Sequence, residues 1–470
     1  MTRRAIRVLV HVDERRRDVP VLFALRHLFE AAGCRVLLSS RWTTASYLRH
    51  LPFDAVIVPS LTYLPYEALP RLAARTKLYM LPTEGALFEE WPLLVKYGGG
   101  VDPARWPRQI QATTRFFLWG ESSHRVLRAT GRFRDDQLLV IGAPRMDFFL
   151  VGPSSSAAHG DPGAMGIISN FYLTNSYHRL HIFQAVDQGR HGGEGFSYAA
   201  GRGLEDRFWI ESAEARVWVE LFDACRARGE RLSVRIHPRE DLAGYRYLQD
   251  KYADVLRFDG QGLTFESWLD RIGILLGYNS TTFFEAVASG KPAVNLMALV
   301  GERLEEHIGK MTMGRYPIME HLEAPTSLEE LFALIQQMRE GRWARERGYS
   351  PACRALLRDV CQYPREQSAL AMVVRTVVED LGGPLRPEGW RSRWASAARY
   401  WHIRAREAAA FAIRRTPITS PRFPMRLRRF ERDHAEEIAR YLRAAATFPV
   451  GCDRGTIPAP PALAVAGVGG

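Results

Sequence analysis

The feature that most constrains the fold is an alternation of short apolar runs with amphipathic stretches, repeated along the first 150 residues. Apolar runs predict strands at residues 6–12, 35–39, 55–59, 77–81, 116–120 and 137–142, and helical patterns such as 20–32 and 121–130 lie between them. Strands that alternate with helices form a parallel sheet covered by helices on both faces, because each parallel connection needs a crossover. The pattern predicts a Rossmann-like domain over residues 1–150.

The alternation stops at residues 151–163 (VGPSSSAAHGDPG), whose composition is that of a linker. A second series follows, with strands predicted at 165–170, 232–238, 255–258, 273–278 and 292–296 and a helix near 211–228. We therefore predict an α/β protein with two Rossmann-like domains that face a cleft, the second over residues 164–383. The glycine-rich stretch 188–203 is predicted to be a mobile loop, and the low-complexity tail 451–470 to be disordered.

Composition narrows the class of protein. With 46% hydrophobic and 25% charged residues, the chain has the content of an ordinary globular protein. Five scattered cysteines argue for a reducing compartment and against a disulfide framework or zinc site. Since no apolar stretch approaches the roughly 18 residues needed to span a bilayer, we predict a cytoplasmic protein, at most peripheral on the inner face of the cell membrane.

Positive charge is concentrated near the carboxyl terminus. Residues 384–430 hold twelve arginines against two glutamates, which accounts for ten of the net twelve positive charges. The remainder is nearly neutral, which excludes a diffuse nucleic-acid-binding surface. Trp390, Trp394 and Trp401 stand among these arginines. The segment 384–450 is predicted to be helical, either on an anionic membrane surface through 384–430 or packed against the domains with a solvated basic face.

The stretch Arg235-Ile236-His237-Pro238 ends a predicted strand of the second series. Ligands of open α/β sheets lie at the carboxyl ends of the strands, and an imidazole there can donate to a phosphate oxygen. His237, with Arg235, is therefore a candidate phosphate ligand. The alternative is a surface histidine in a turn.

A second motif, LLGYNSTTFFEAVASGKPAVNL (275–296), runs from a strand into a helix. Ser280, Thr281 and Thr282 fall at the helix start, where backbone N–H groups are unsatisfied and anions bind. Glu285 lies about one turn later and can accept both hydroxyls of a ribose. The alternative is a well-capped helix with a solvated glutamate. We interpret the stretch as a site for a nucleotide's phosphate and sugar.

Two strand ends of the first domain also carry polar residues. In LPTEG (81–85), Glu84 follows a strand and is a candidate general base, or Thr83 and Glu84 simply cap the next turn. After the last strand, Arg145 either lines the cleft or pairs with Asp147. Asp13, at the end of the first strand, is a further candidate for the acceptor side of the cleft.

Together these motifs resemble a known family. The Glu-Gly strand end, G-x-P-R-x-D at 142–147, R-x-H-P at 235–238 and S-T-T-x-x-E-A-x-x-x-G-K-P at 280–292 look like bacterial surface carbohydrate biosynthesis proteins, which are GT-B glycosyltransferases. More distantly the chain is similar to CDP-glycerol glycerophosphotransferases, capsule Kdo transferases and bacterial sialyltransferases. The resemblance spans roughly residues 5–380.

The resemblance implies a transfer reaction with a nucleotide-sugar donor, CMP- or CDP-linked, and a glycan or lipid-linked acceptor. It assigns phosphate binding to His237, Ser280 and Thr281, and the role of base to Glu84, although relatives often have an acidic pair where this chain has Thr83. It implies no cofactor and no metal, which agrees with the lack of a D-x-D motif at a strand end. Three alternatives stay open: a glycerophosphotransferase, a nucleotide-sugar epimerase on the same fold, and a non-catalytic membrane-binding protein.

Overall fold

A computed structural model describes the chain in several stretches. These are residues 6–13, 15–40, 43–151, 161, 163–171, 174–175, 183, 204–238, 240–258, 263–301, 307, 315–346, 348–382 and 431–447. They divide into two compact units, one drawn from Met1–Val151 and Asp359–Gly470 and the other from Gly152–Arg358.

The first unit contains a six-stranded parallel sheet in the order β2-β1-β3-β4-β5-β6. Its strands are β1 Arg7–Val12, β2 Arg35–Ser40, β3 Ala55–Val58, β4 Lys77–Met80, β5 Arg115–Leu118 and β6 Leu138–Val140. Each corresponds to a predicted run, and strands such as Ala55–Val58 are buried along their whole length. Such burial on both faces explains why these strands read as continuous apolar runs.

The second unit contains a five-stranded parallel sheet in the order β11-β10-β7-β8-β9. Its strands are β7 Met165–Ile168, β8 Leu232–Arg235, β9 Leu256–Arg257, β10 Ile274–Gly277 and β11 Ala293–Asn295. All five predicted strands of the second series are present. The predicted fold class, two parallel α/β sheets, is confirmed.

Helices of the described residues lie between these strands and after the last of them. They are α1 Arg15–Ala31, α2 Thr44–His50, α3 Leu69–Ala73, α4 Glu90–Gly98, α5 Trp106–Ala112, α6 Glu121–Ala129, α7 Leu204–Ala227, α8 Arg246–Lys251, α9 Phe265–Arg271, α10 Thr282–Ala288, α11 Met297–Val300, α12 Leu328–Arg339, α13 Arg342–Glu346, α14 Pro351–Cys361, α15 Ala369–Asp380 and α16 Ala435–Thr447. The predicted helix at 20–32 begins earlier, at Arg15, and includes Pro20 in its second turn.

The last two helices belong to the first unit. One core cluster joins α1 to α15 and α16, with Phe23, Val374, Ile438 and Tyr441 all nearly inaccessible to solvent. The sequence assigned 369–380 to the second domain (164–383), whereas the structure places this helix on the first unit. The reason is an apolar face of α15 that packs against α1, a pairing that local sequence patterns do not encode.

Only part of the predicted helical segment 384–450 is described. Residues 435–447 form α16, which packs on the first unit, whereas 384–430, to which the membrane prediction refers, lies outside the described residues. Most of the linker 151–163, the loop 188–203 and the tail 451–470 lie outside them as well. Within the described stretches, no helix is both long and apolar enough to cross a membrane.

Candidate functional site

The strand order of the second sheet defines a position for a ligand. The chain enters the sheet at the central strand β7, continues to β8 and β9 on one side, and returns to β10 and β11 on the other. The loops after β7 and β10 therefore leave the sheet in opposite directions. In open α/β sheets the crevice at such a switch point, outside the carboxyl ends of the strands, is where ligands bind.

Both predicted motifs of the second unit lie at this edge. His237 follows β8 and is half-buried, and Ser280 follows β10 and is also half-buried. Since β8 and β10 both pair with β7, the two strand ends are about 10 Å apart, two strand spacings. A ligand over the end of β7 would thus be flanked by His237 and Ser280. That they bind one anion together stays a prediction.

The hydroxyl cluster exceeds what helix capping requires. The Ser280 hydroxyl accepts a hydrogen bond from the Thr282 backbone N–H (3.3 Å) and bonds to the Thr282 hydroxyl (2.9 Å). Thr281, at the cap position of α10, makes no capping hydrogen bond through its side chain within the described residues. Ser280 thus satisfies the local backbone, which leaves the half-buried Thr281 hydroxyl available at the carboxyl edge.

The remaining residues of these motifs are more buried than the sequence indicates. Glu285 is 2% exposed, so the alternative of a solvated glutamate is wrong. Arg235, the last residue of β8, is 8% exposed. Lys291 donates to the Ile272 carbonyl (2.7 Å), and burial lowers the pKa of its amine. Because Lys291 lies before β11, at the opposite edge of the sheet, we assign it a structural role.

A hydrogen-bonded network that sequence reasoning missed holds the loops after β7 and β8 together. Ser169 accepts from the His237 backbone N–H (2.8 Å) and donates to the carboxylate of Glu240 (3.0 Å). The same carboxylate accepts from the Phe171 backbone N–H (2.8 Å) and from the Tyr245 hydroxyl. Burial raises the pKa of Glu240 to about 8, and the hydrogen bond from Tyr245 opposes that rise.

Two more buried acids lie on α7. Glu211 accepts from the Thr174 hydroxyl and backbone N–H and pairs with Arg207 (2.8 Å), which also donates to the Asn170 carbonyl. Glu214 is fully buried, and burial raises the pKa of its carboxyl to about 8, with Arg207 opposing the rise. The Asn170 contact ties α7 to the loop after β7, so the Glu211–Arg207 pair supports this edge.

In the first unit, Glu84 is exposed at the end of β4. The neighbouring glycine has a structural explanation, because a Cβ on Gly85 would come within 2.5 Å of the Trp119 ring. Trp119 in turn donates through its indole to the Pro82 carbonyl (3.1 Å). This packing fixes the turn that presents Glu84 to solvent.

Arg145 lines a pocket of the first unit. The pocket is lined by apolar side chains together with Asp18, Thr83 and Arg145. Arg145 is 5% exposed, and its guanidinium lies 5.7 Å from the Trp119 ring centroid. The alternative prediction, in which Arg145 pairs with Asp147, is wrong, because the carboxylate of Asp147 bonds to other residues.

Asp147 is engaged by the segment that precedes and begins α15. One of its oxygens accepts from Arg365 and the Ala369 N–H, and the other from the Ser368 hydroxyl and the Leu370 N–H. These four donors fill the acceptor positions of a carboxylate. The aspartate of the G-x-P-R-x-D motif therefore anchors α15 to the first unit.

Asp13 lies elsewhere on the same edge, because β3, β4 and β5 separate β1 from β6. It accepts a hydrogen bond from the Tyr63 hydroxyl, and the Tyr63 ring stacks on His11 with centroids 4.1 Å apart. His11 bonds to Thr44 (2.7 Å), and burial lowers the pKa of its imidazole to about 4, with Asp13 opposing this. Asp13 and Arg145, both predicted for the acceptor side of the cleft, thus follow strands β1 and β6, which three other strands separate.

Among the described residues, no cluster of three or more histidine, cysteine, aspartate or glutamate side chains has the arrangement of a metal site. The expectation of metal-independent chemistry stays a prediction.

The two parallel α/β sheets, the second with its switch point at β7, define a class, the twin Rossmann-like GT-B fold. No protein-family model and no curated protein sequence matches the chain. Among solved structures, the wall teichoic acid polymerase TagF matches with a TM-score of 0.50 and 10% identity, over 81% of this chain and 90% of that one. At this identity the likeness establishes the fold alone.

Two further structures are more distant. The UDP-GlcNAc 2-epimerase of Methanocaldococcus jannaschii, in complex with UDP-GlcNAc and UDP, matches with a TM-score of 0.44 and 9% identity, over 80% of this chain and all of that one (100%). A putative UDP-N-acetylglucosamine 2-epimerase from Listeria monocytogenes matches with a TM-score of 0.44 and 12% identity, over 82% and 99% of the two chains.

Proposed function

We propose that the chain is a glycosyltransferase of bacterial surface polysaccharide biosynthesis, which transfers a sugar from a CMP- or CDP-linked donor to a glycan or lipid-linked acceptor. The observation that carries the proposal is the switch point of the second sheet. There, two motifs more than forty residues apart in sequence, at His237 and at Ser280–Thr282, flank the end of β7.

The donor would lie over this edge of the second sheet. His237, the hydroxyls of Ser280, Thr281 and Thr282, and Arg235 would hold its phosphate groups, and Glu285 its ribose. The main catalytic requirement of such a transfer is hydrogen-bond donors placed where negative charge develops on the leaving phosphate. Arg235 and the hydrogen-bond donors at this edge would compensate that charge without a metal ion or cofactor, which we propose the reaction does not need.

The acceptor would bind to the first unit. Glu84, exposed at the end of β4, is the proposed general base that removes the proton of the acceptor hydroxyl. The pocket beside it is largely apolar but contains the buried guanidinium of Arg145. Asp13 is a further acceptor-side candidate, at a separate position on the same edge.

A glycerophosphotransferase is the second candidate, favoured by the likeness of the fold to a wall teichoic acid polymerase. The donor that is consumed, together with the nucleotide that leaves, separates the two reactions. A sugar transferred from a CDP-sugar leaves CDP and one from a CMP-sugar leaves CMP, whereas glycerol phosphate transferred from CDP-glycerol leaves CMP.

The test is nucleotide release from CMP-sugars, CDP-sugars, CDP-glycerol and UDP-sugars, followed by chromatography, with a surface glycan as acceptor. We expect CMP from a CMP-sugar or CDP from a CDP-sugar, and its loss in His237→Ala, whereas His124→Ala, on α6 of the first unit, should retain it. Conversion of a UDP-sugar with the nucleotide still attached would establish an epimerase instead. Absence of both binding and turnover with every donor would contradict the proposal.

A further inference from the structure

We propose that Glu240 is a positioning residue, which acts through Ser169 to fix the main chain of His237 at the carboxyl edge of the second sheet. The inference rests on the proposed function, since it gives His237 the donor phosphate to bind. It adds two residues, from different loops, that no motif of the sequence indicates.

Both main-chain polar groups of His237 are bonded to this network. Its N–H donates to the Ser169 hydroxyl (2.8 Å), and its carbonyl accepts from the Glu240 N–H (2.9 Å). The half-buried imidazole is therefore carried by a backbone held on both sides. Pro238, which follows directly, restricts the conformation of His237 further.

The carboxyl group of Glu240 accepts the hydrogen bond of the Ser169 hydroxyl, because the His237 N–H can only donate to that hydroxyl and a carboxyl keeps an acceptor oxygen in either protonation state. A serine hydroxyl has one proton, and Ser169 lies 3.0 and 3.1 Å from the two oxygens of Glu240, which accept it. The lone pairs of the hydroxyl are then turned toward the His237 N–H. A glutamine at this position presents a donor as well as an acceptor to Ser169, so this preference is weakened.

Glu240 itself has little freedom to move. It is 4% exposed, and it also accepts from the Phe171 N–H (2.8 Å) and from the hydroxyl of the fully buried Tyr245. The network thus connects the loop after β7, the central strand of the switch point, to the loop that carries His237. A buried network that is fully hydrogen-bonded holds one conformation.

The test is a double-mutant cycle on CDP and CMP affinity, measured by titration calorimetry. Ser169→Ala and Glu240→Gln should each weaken binding roughly 2- to 13-fold, the effect of one hydrogen bond. In a His237→Ala background neither should weaken binding further, because both act through His237. Glu220→Gln, an exposed glutamate on α7, is the matched control and should bind as the unmodified protein does.

A second readout uses the protein without nucleotide. The imidazole resonances of His237 in labelled protein should shift in Ser169→Ala and Glu240→Gln but not in Glu220→Gln. Equal losses of affinity in both backgrounds, or unshifted resonances, would overturn the positioning role. If the resonances shift as expected but His237→Ala binds nucleotide normally, then His237 is positioned by Ser169 and Glu240 but does not bind the nucleotide. That result would contradict the proposed function and leave the positioning role intact.

Discussion

Deleting residues 431–470 should destabilise the first unit severely, because α16 is part of its core. Ile438, Tyr441 and Leu442 are 1%, 1% and 4% exposed and pack in the same cluster as α1. Burying a side chain of this size contributes roughly 1.5–3 kcal/mol, so the three together contribute roughly 5–9 kcal/mol as an upper value. Domains are typically stable by about 5–15 kcal/mol, so this loss approaches the whole.

A single substitution gives a measurable version of the same prediction. Leu442→Ala should lower the free energy of unfolding by about 2–5 kcal/mol, the usual cost of removing a buried leucine. Arg443→Ala, exposed on the same helix, should change it by no more than about 0.5 kcal/mol. Urea unfolding followed by circular dichroism measures both. Deletion of 451–470 alone is the control for the truncation and should leave the urea concentration at the unfolding midpoint unchanged.

The reasoning is refuted if the 431–470 deletion unfolds at the same urea concentration as the full chain. The same holds if Leu442→Ala and Arg443→Ala have equal effects. Either result would show that α16 does not pack on α1 in solution.

Four other predictions follow from the site and the sequence. Glu84→Gln should preserve donor binding and reduce turnover ~10²–10⁴-fold in a nucleotide-release assay, and unchanged turnover would leave Glu84 only a role in the turn. Arg145→Lys should raise the acceptor KM about tenfold or more at unchanged donor KM, and an equal rise in both would contradict an acceptor pocket. Between pH 4.5 and about 8 the folded protein retains a proton on Glu214 that the unfolded chain loses, so the free energy of unfolding should fall as pH rises through this window. Glu214→Gln should remove that part of the fall, and a pH profile parallel to the unmodified protein's would contradict it. Finally, if 384–430 binds membranes, anionic liposomes should bind the chain at low salt and release it at high salt, whereas replacing its arginines with glutamine should abolish binding, and equal binding by both proteins would defeat the membrane interpretation.

Elements that depend on local pattern could be predicted from the sequence. The strands of both sheets are short apolar runs bounded by polar or glycine residues, and all eleven lie where these runs occur. His237 and Ser280 could be placed at a strand end because each directly follows such a run. The carboxyl ends of parallel strands share one edge, so their presence on that edge followed from the fold class.

Contacts between distant residues could not be predicted in this way. Ser169 and Glu240 are 71 residues apart, and Asp147 bonds to residues more than 200 positions away. Neither pairing changes the periodicity of the sequence around it. The docking of α15 on the first unit was missed for the same reason, since an amphipathic helix does not indicate which surface it will cover. For the segment 384–450, which contains α16, packing against the domains was one of two alternatives left open. The sequence shows an acid, Glu240, three residues after His237, but only the structure shows that this acid bonds to Ser169.

The central claim is that a nucleotide phosphate binds between His237 and the Ser280–Thr282 loop. The most direct measurement is the affinity for CDP of the unmodified protein, His237→Ala and Thr281→Val, by titration calorimetry. We expect His237→Ala to weaken binding by roughly 1.5–3 kcal/mol, the loss of a charge-assisted hydrogen bond, and Thr281→Val to weaken it by roughly 0.5–1.5 kcal/mol, with His124→Ala unchanged. CDP affinity that is the same in all four proteins would contradict the account.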